Sequence, residues 1–67
     1  MKTLTVSIRY ANKAQEVIAD NDLDIEATST NTYDFEDSED EDIEDAIRYA
    51  FSRAGILDDE YEIINNE

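Results

Sequence analysis

Apolar and polar residues alternate from Lys2 to Tyr10, with Leu4, Val6, Ile8 and Tyr10 on one side and Thr3, Thr5, Ser7 and Arg9 on the other. A period of two is that of a half-buried strand, so one face is predicted as core and the other as wet. The stretch from Ala11 to Asp20 is ambiguous. Ala11, Ala14, Val17 and Ile18 suit a short helix, whereas Glu16 to Ile18 could equally begin a strand. Alternation returns from Leu23 to Phe35, where Leu23, Ile25 and Ala27 and later Tyr33 and Phe35 share one parity. The Thr/Ser/Asn stretch Thr28 to Thr32 between them marks a bend or hairpin turn, which predicts one or two strands here.

A period of 3.6 follows. Ile43, Ala46, Ile47, Ala50, Phe51 and Ala54 recur as one buried stripe of a helix, and Ser38 with Glu41 three residues on has the form of a capping box. The helix is predicted from about Glu39 to Ala54, with Gly55, the only glycine, as a left-handed cap. Six carboxylates crowd its first turns and Arg48 and Arg53 lie toward its C-terminal end, in the sense the helix dipole favours. After Ile56 and Leu57, the segment Glu60 to Ile64 reads as a last strand with Tyr61 and Ile63 inward, and the polar end from Asn65 is expected to fray. The simplest assembly is a single α+β domain over residues 1–67, one helix packed on a small, mainly antiparallel sheet of the β-β-α-β kind.

Composition bears on whether such a domain folds and on what it meets. Net charge is −14, with 19 carboxylates against Lys2, Arg9, Lys13, Arg48 and Arg53. High charge with modest hydropathy is the signature of disorder. Leu, Ile, Val and Phe nevertheless make up 15 of 67 residues. That is slightly above the roughly 20% below which disorder is the default. Because these residues fall at periodic positions, a folded chain is expected. A chain of this size buries only about 60% of its unfolded surface, which leaves little room for a cleft-forming enzyme. There is no cysteine and no histidine, so disulfides, thiolate zinc sites and the commonest neutral-pH acid/base are absent. Met1 to Tyr10 lacks the continuous apolar stretch of a signal peptide, and no run approaches the roughly 20 residues of a membrane span. A cytoplasmic protein is expected, repelled by anionic lipid and by nucleic acid itself.

Nine of the twelve residues from Asp34 to Asp45 are acidic (Asp34, Glu36, Asp37, Glu39, Asp40, Glu41, Asp42, Glu44 and Asp45) and none is basic. One explanation is a solvated, dipole-matched helix start that aids solubility. Against it, an ordinary acidic helix pairs Glu with Lys four residues on, and between Asp34 and Ile47 there is no cation. The second explanation is mimicry of a nucleic acid. Duplex DNA carries one charge per roughly 1.7 Å of axis, so a mimic must array carboxylates to match. Asp20, Asp22, Asp24 and Glu26 would form a row spaced about 6.8 Å apart if that segment is extended. Glu41 and Asp45, opposite the apolar stripe, with Asp42 and Glu44 nearer its margins, would form another.

Short length, net charge, the helix-on-sheet layout and the carboxylates of Asp34 to Asp45 together resemble the small acidic inhibitors that phages make against host defence, the anti-CRISPR and anti-restriction DNA mimics. The likeness is one of composition and layout. It implies a target class: a CRISPR effector complex, a restriction enzyme or another basic nucleic-acid-binding host protein, met in the host cytoplasm. The competing expectation is an acidic adaptor that binds a basic protein without copying DNA. Either could act as a monomer or, through a free edge strand, as a homodimer.

Other chemistries fare worse. Asp20-x-Asp22-x-Asp24 copies the first three positions of a calcium loop, but position six is Ile25 and position twelve is Asn31, so no dedicated metal site and no cofactor is expected. Paired carboxylates do acid/base work only in a cleft that splits their pKa values, and catalysis is not expected. Ser38 sits among acidic residues like a kinase substrate, yet the N-cap explains it more simply. Tyr10, Tyr33 and Tyr61 share the core parity of their strands, whereas Tyr49 falls off the helical stripe and is a candidate contact residue.

Overall fold

A computed structural model of the chain describes residues 1–37 and 42–66. The order is β1 (Lys2–Val6), a 3-10 turn (Ile8–Tyr10), α1 (Ala11–Asp20), β2 (Glu26–Ala27), β3 (Thr32–Phe35), α2 (Ile43–Ala54), a second 3-10 turn (Asp58–Glu60) and β4 (Tyr61–Asn65). The strands form one sheet in the order β2-β3-β1-β4, every neighbouring pair antiparallel. β1 and β2 therefore run parallel with β3 between them, and β3 and β4 run parallel with β1 between them. Each helix is the crossover between such a pair, which gives the split β-α-β-β-α-β connectivity of ferredoxin-like folds. The α+β class and the antiparallel sheet are as expected. The difference is a second helix, since Ala11 to Asp20 takes the helical of its two readings, burying Ala11, Ala14 and Val17 along one side.

Inward residues of the sheet meet both helices in a single core. Leu4 and Val6 of β1, Tyr33 and Phe35 of β3, and Tyr61 of β4 join Ala14 and Val17 of α1 and Ile43, Ile47, Ala50 and Phe51 of α2. Phe51 is fully buried and meets the edge of Tyr61 at 5.0 Å between ring centroids. Burying a side chain of that size stabilises by about 1.5–3 kcal/mol. The stripe of α2 is narrower than expected, because Ala46 is exposed.

Several element boundaries differ from the sequence pattern: β2 is only Glu26–Ala27 rather than beginning at Leu23, and β4 runs on to Asn65, whose strand pairing with Lys2 replaces the expected fraying. β1 stops at Val6 rather than Tyr10: Ser7 still donates its N–H to the Glu60 carbonyl at 2.8 Å, but Tyr10 N–H then turns back to the Ser7 carbonyl at 2.9 Å. The chain has to leave the sheet there to begin its crossover, and Ile8 is thrown outward to 81% exposure. α2 begins at Ile43 with Asp42 as its N-cap, rather than at Glu39. The expected capping box of Ser38 and Glu41 lies outside the described residues.

Both helices end in the same way. Gly55 sits at φ 85°, with its N–H on the Ser52 carbonyl and Ile56 N–H on the Phe51 carbonyl, so the left-handed residue turns Ile56 back into the core. α1 repeats the pattern with Asp22 at φ 55°, its N–H on the Ala19 carbonyl and Leu23 N–H on that of Ile18. Aspartate is among the few non-glycine residues that visit this region readily. Among the described residues no helix is long and apolar enough to cross a membrane.

Two stability outcomes follow. Gly55→Ala costs about 1–2 kcal/mol, from backbone conformation alone, since a β-carbon there would meet only Lys13 Nζ at 4.0 Å. Gly55→Asn costs less, and urea unfolding of the two variants ranks them. Tyr33 is buried, its hydroxyl without a well-formed hydrogen bond among the described residues, although the Gln15 side chain lies close enough to offset part of that burial. Burial pushes that hydroxyl above the ordinary tyrosine range. Removing an orphaned buried hydroxyl recovers its desolvation cost, so Tyr33→Phe raises stability by about 1 kcal/mol in the same assay.

Candidate functional site: the acidic surface around the start of α2

The N-terminus of α2 is built from carboxylates. Asp37, two residues beyond β3, accepts the N–H groups of Ile43 at 2.8 Å and Glu44 at 3.1 Å through one oxygen, and Asp42 accepts that of Asp45 at 3.0 Å. The next N–H, of Ala46, bonds the Asp42 carbonyl. Every donor of the first turn is thereby satisfied, and the negative groups lie where the helix dipole favours them.

Lys2 closes this arrangement from the sheet. It occupies the inward parity of β1 with Leu4 and Val6, and its ammonium reaches Asp37 Oδ2 at 2.5 Å and Glu44 Oε1 at 2.8 Å. Glu44 also takes Arg48, one turn on, at 3.1 Å. The Lys2 ammonium, followed by the Glu44 and Ile43 N–H groups, holds the Asp37 carboxyl below its ordinary range. Lys2 and then Arg48 do the same for Glu44. The Lys2 ammonium is in turn held above the usual lysine range, by Asp37 first and Glu44 second. A lone cation on the core parity of a strand is a sequence signal of such a pairing; the candidate set drawn from acidic residues misses it.

The remaining arginines are also engaged within the fold. Arg9 pairs with the buried carboxylate of Glu60, which also accepts Ser7 Oγ at 3.1 Å. Arg53 lies 5.6 Å over the Tyr49 ring, whereas Lys13 is exposed and enters no ion pair among the described residues. Tyr49 is 63% exposed, as its place off the stripe predicts, but Arg53 covers part of its ring.

The expected acidic residues thus divide. Asp37, Asp42 and Glu44 cap or brace α2, and Asp34 accepts Thr3 Oγ1 at 2.9 Å across β1 and β3. Glu36 and Asp45 are exposed and, among the described residues, outside any ion pair. Glu39, Asp40 and Glu41 lie outside the described residues. The row Asp20, Asp22, Asp24, Glu26 is not extended. Asp20 ends α1, Asp22 is its left-handed terminator, Asp24 follows in a loop and only Glu26 is in a strand, so the 6.8 Å spacing of a strand row does not arise. The Asn21-Asp22 pair, a helix stop, was the overriding signal.

What the fold does bring together is one end of each segment. Asp22 and Asp24 on one side and Asp42 on the other line an open groove of about 360 Å³, floored by Leu23, Ile43 and Ala46, with no cation in its lining. The far face of the sheet carries Thr3, Thr5, Thr32, Asp34, Glu26, Glu62 and Ile64, while Tyr33, Phe35 and Tyr61 all point to the helices. This face presents the carboxylates of Glu26, Asp34 and Glu62 among threonines, with its aromatic residues turned to the other side. Among the described residues no group of three or more acidic side chains is placed to hold a metal ion. No family model, curated protein or solved structure matches this chain.

The Lys2 bridge sets a pH dependence. Between the depressed pKa values of Asp37 and Glu44 and the ordinary carboxylate range, the folded chain holds fewer protons than the unfolded one. This part of the stability is complete above about pH 5 and is lost as pH falls. Lys2→Met therefore destabilises at neutral pH, and its deficit against the wild type shrinks as both carboxyls protonate. Urea unfolding of both proteins at neutral pH and at about pH 2 measures the deficit; a constant deficit would assign Lys2 to packing alone.

Proposed function

We propose that this chain is an inhibitor of a nucleic-acid-binding protein, a CRISPR effector, restriction enzyme or similar, which presents its carboxylates to the basic cleft that normally holds phosphates. The observation that carries the reading is the groove where Asp22, Asp24 and Asp42 converge without a cation. The donors of α2's first turn are already taken by Asp37 and Asp42, and among the described residues Asp24, Glu36 and Asp45 serve neither as helix caps nor as ion-pair partners, while Asp22 ends α1 through its backbone and its carboxylate enters no ion pair. Charge unused by the fold lowers stability through self-repulsion and is available to a partner. Lys2, Arg9 and Arg48 are spent on internal pairs, which leaves the surface strongly negative. A field of this kind steers association onto a basic cleft.

The absence of a regular extended row favours a second reading, an acidic adaptor that binds a basic protein by its field without reproducing phosphate spacing. Competition separates the two. The triple variant Asp24→Asn, Glu36→Gln, Asp45→Asn spares the braced carboxylates and keeps the fold. Mimicry requires that duplex DNA displace the wild-type chain from its captured partner. It further requires that the variant bind more weakly, with a slope of log affinity against log salt smaller by up to about three. Partner binding that persists in excess DNA supports the adaptor; equal binding by variant and wild type refutes both.

A further inference from the structure

The edge of the sheet at β4 offers a second, differently built contact. In the β1–β4 ladder Ser7 N–H bonds the Glu60 carbonyl and Asn66 N–H bonds that of Met1. Antiparallel bonding alternates along a strand. Thr5 with Glu62, and Thr3 with Ile64, are therefore the bonded pairs between. The N–H and C=O groups of Tyr61 and Ile63 then point away from the sheet. β4 is five residues long with no proline, no lysine and no bulge; the charge it carries against edge pairing is that of Glu62, which a cationic partner would neutralise. The opposite edge, β2, is two residues long.

We propose that β4 accepts an extended, basic segment of a partner protein as an added antiparallel strand. The register dictates its pattern. Partner residues opposite Tyr61 and Ile63 exchange backbone bonds with them and face the helix side, where Ile63 is half-buried against the core, so these positions take apolar side chains. The residue between them lies across from exposed Glu62 on the outer face, in the non-bonded pairing that brings side chains closest, and takes lysine or arginine. Asp58 and Asp59, just before β4, extend the acidic field along the edge. A second copy of the chain would bring two charges of −14 edge to edge and is the less complementary occupant. This contact uses backbone groups and none of the carboxylates between Asp34 and Asp45, so it stands whether or not DNA is mimicked.

The test titrates the isotope-labelled full chain with an acetylated, amidated peptide of about nine residues alternating valine and lysine, long enough to span β4. The expected result is amide-exchange protection of Tyr61 and Ile63, with binding abolished by N-methylation of the valines and tolerated on N-methylation of the lysines. Glu62→Lys, at an exposed position that the core does not use, weakens this peptide by up to about fivefold and strengthens a valine–glutamate peptide correspondingly. Three results would overturn the proposal: no protection at Tyr61 and Ile63, equal binding by the valine-methylated peptide, or a β4-mediated dimer of the chain alone in sedimentation, which would assign the edge to a second copy.

Discussion

A single ammonium group ties the acidic start of α2 to the sheet, beside the apolar core the two share. Lys2 stands on a central strand of the sheet, among the inward residues of β1, and binds one carboxylate from the segment after β3 and one from the first turn of α2. Asp37 passes the restraint on, since its other oxygen caps the helix that Lys2 faces. Sheet, connection and helix are therefore joined through one point. In a chain so rich in carboxylates, the position of a cation matters more than its number: placed on the outer face, the same lysine would screen surface charge and leave the start of α2 without its counter-ion.

Two arginines follow a similar economy. Arg9 accompanies Glu60, the one buried carboxylate among the described residues, and Arg48 braces Glu44 while lying against Tyr61. Among the described residues Glu60, Asp37 and Glu44 are matched by cations, while the exposed Glu36 and Asp45 are outside ion pairs, so the fold tolerates its charge by sorting it.

Much of the architecture was legible in the sequence because burial here follows period. Leu4 and Val6, Tyr33 and Phe35, and Ile43, Ile47 and Phe51 are all at the positions their alternation or helical spacing assigns. What period could not reveal was where an element stops. Ile8 and Tyr10 continue the alternation of β1 in letters, yet the backbone has already turned, because the crossover to α1 must leave the sheet plane. Asp20, Asp22 and Asp24 alternate just as regularly, and there the left-handed end of α1 decides the geometry. At the site, the exposed positions of Asp45 and Tyr49 could be read from the helical stripe, whereas the bracing roles of Asp37 and Glu44 depend on a lysine 35 residues away from the first of them. Contacts of that sequence separation are set by topology, which local pattern does not encode.

The inequality of the two sheet edges has a consequence for growth. A sheet with two serviceable margins can pass strands from molecule to molecule without limit, the route by which small β-rich domains become fibres. Here one margin is five residues long and the other only two, followed at once by a turn that folds the chain back on itself. Whatever docks along the long margin finds no equivalent margin on the far side from which to continue, so edge-on assembly ends after one addition.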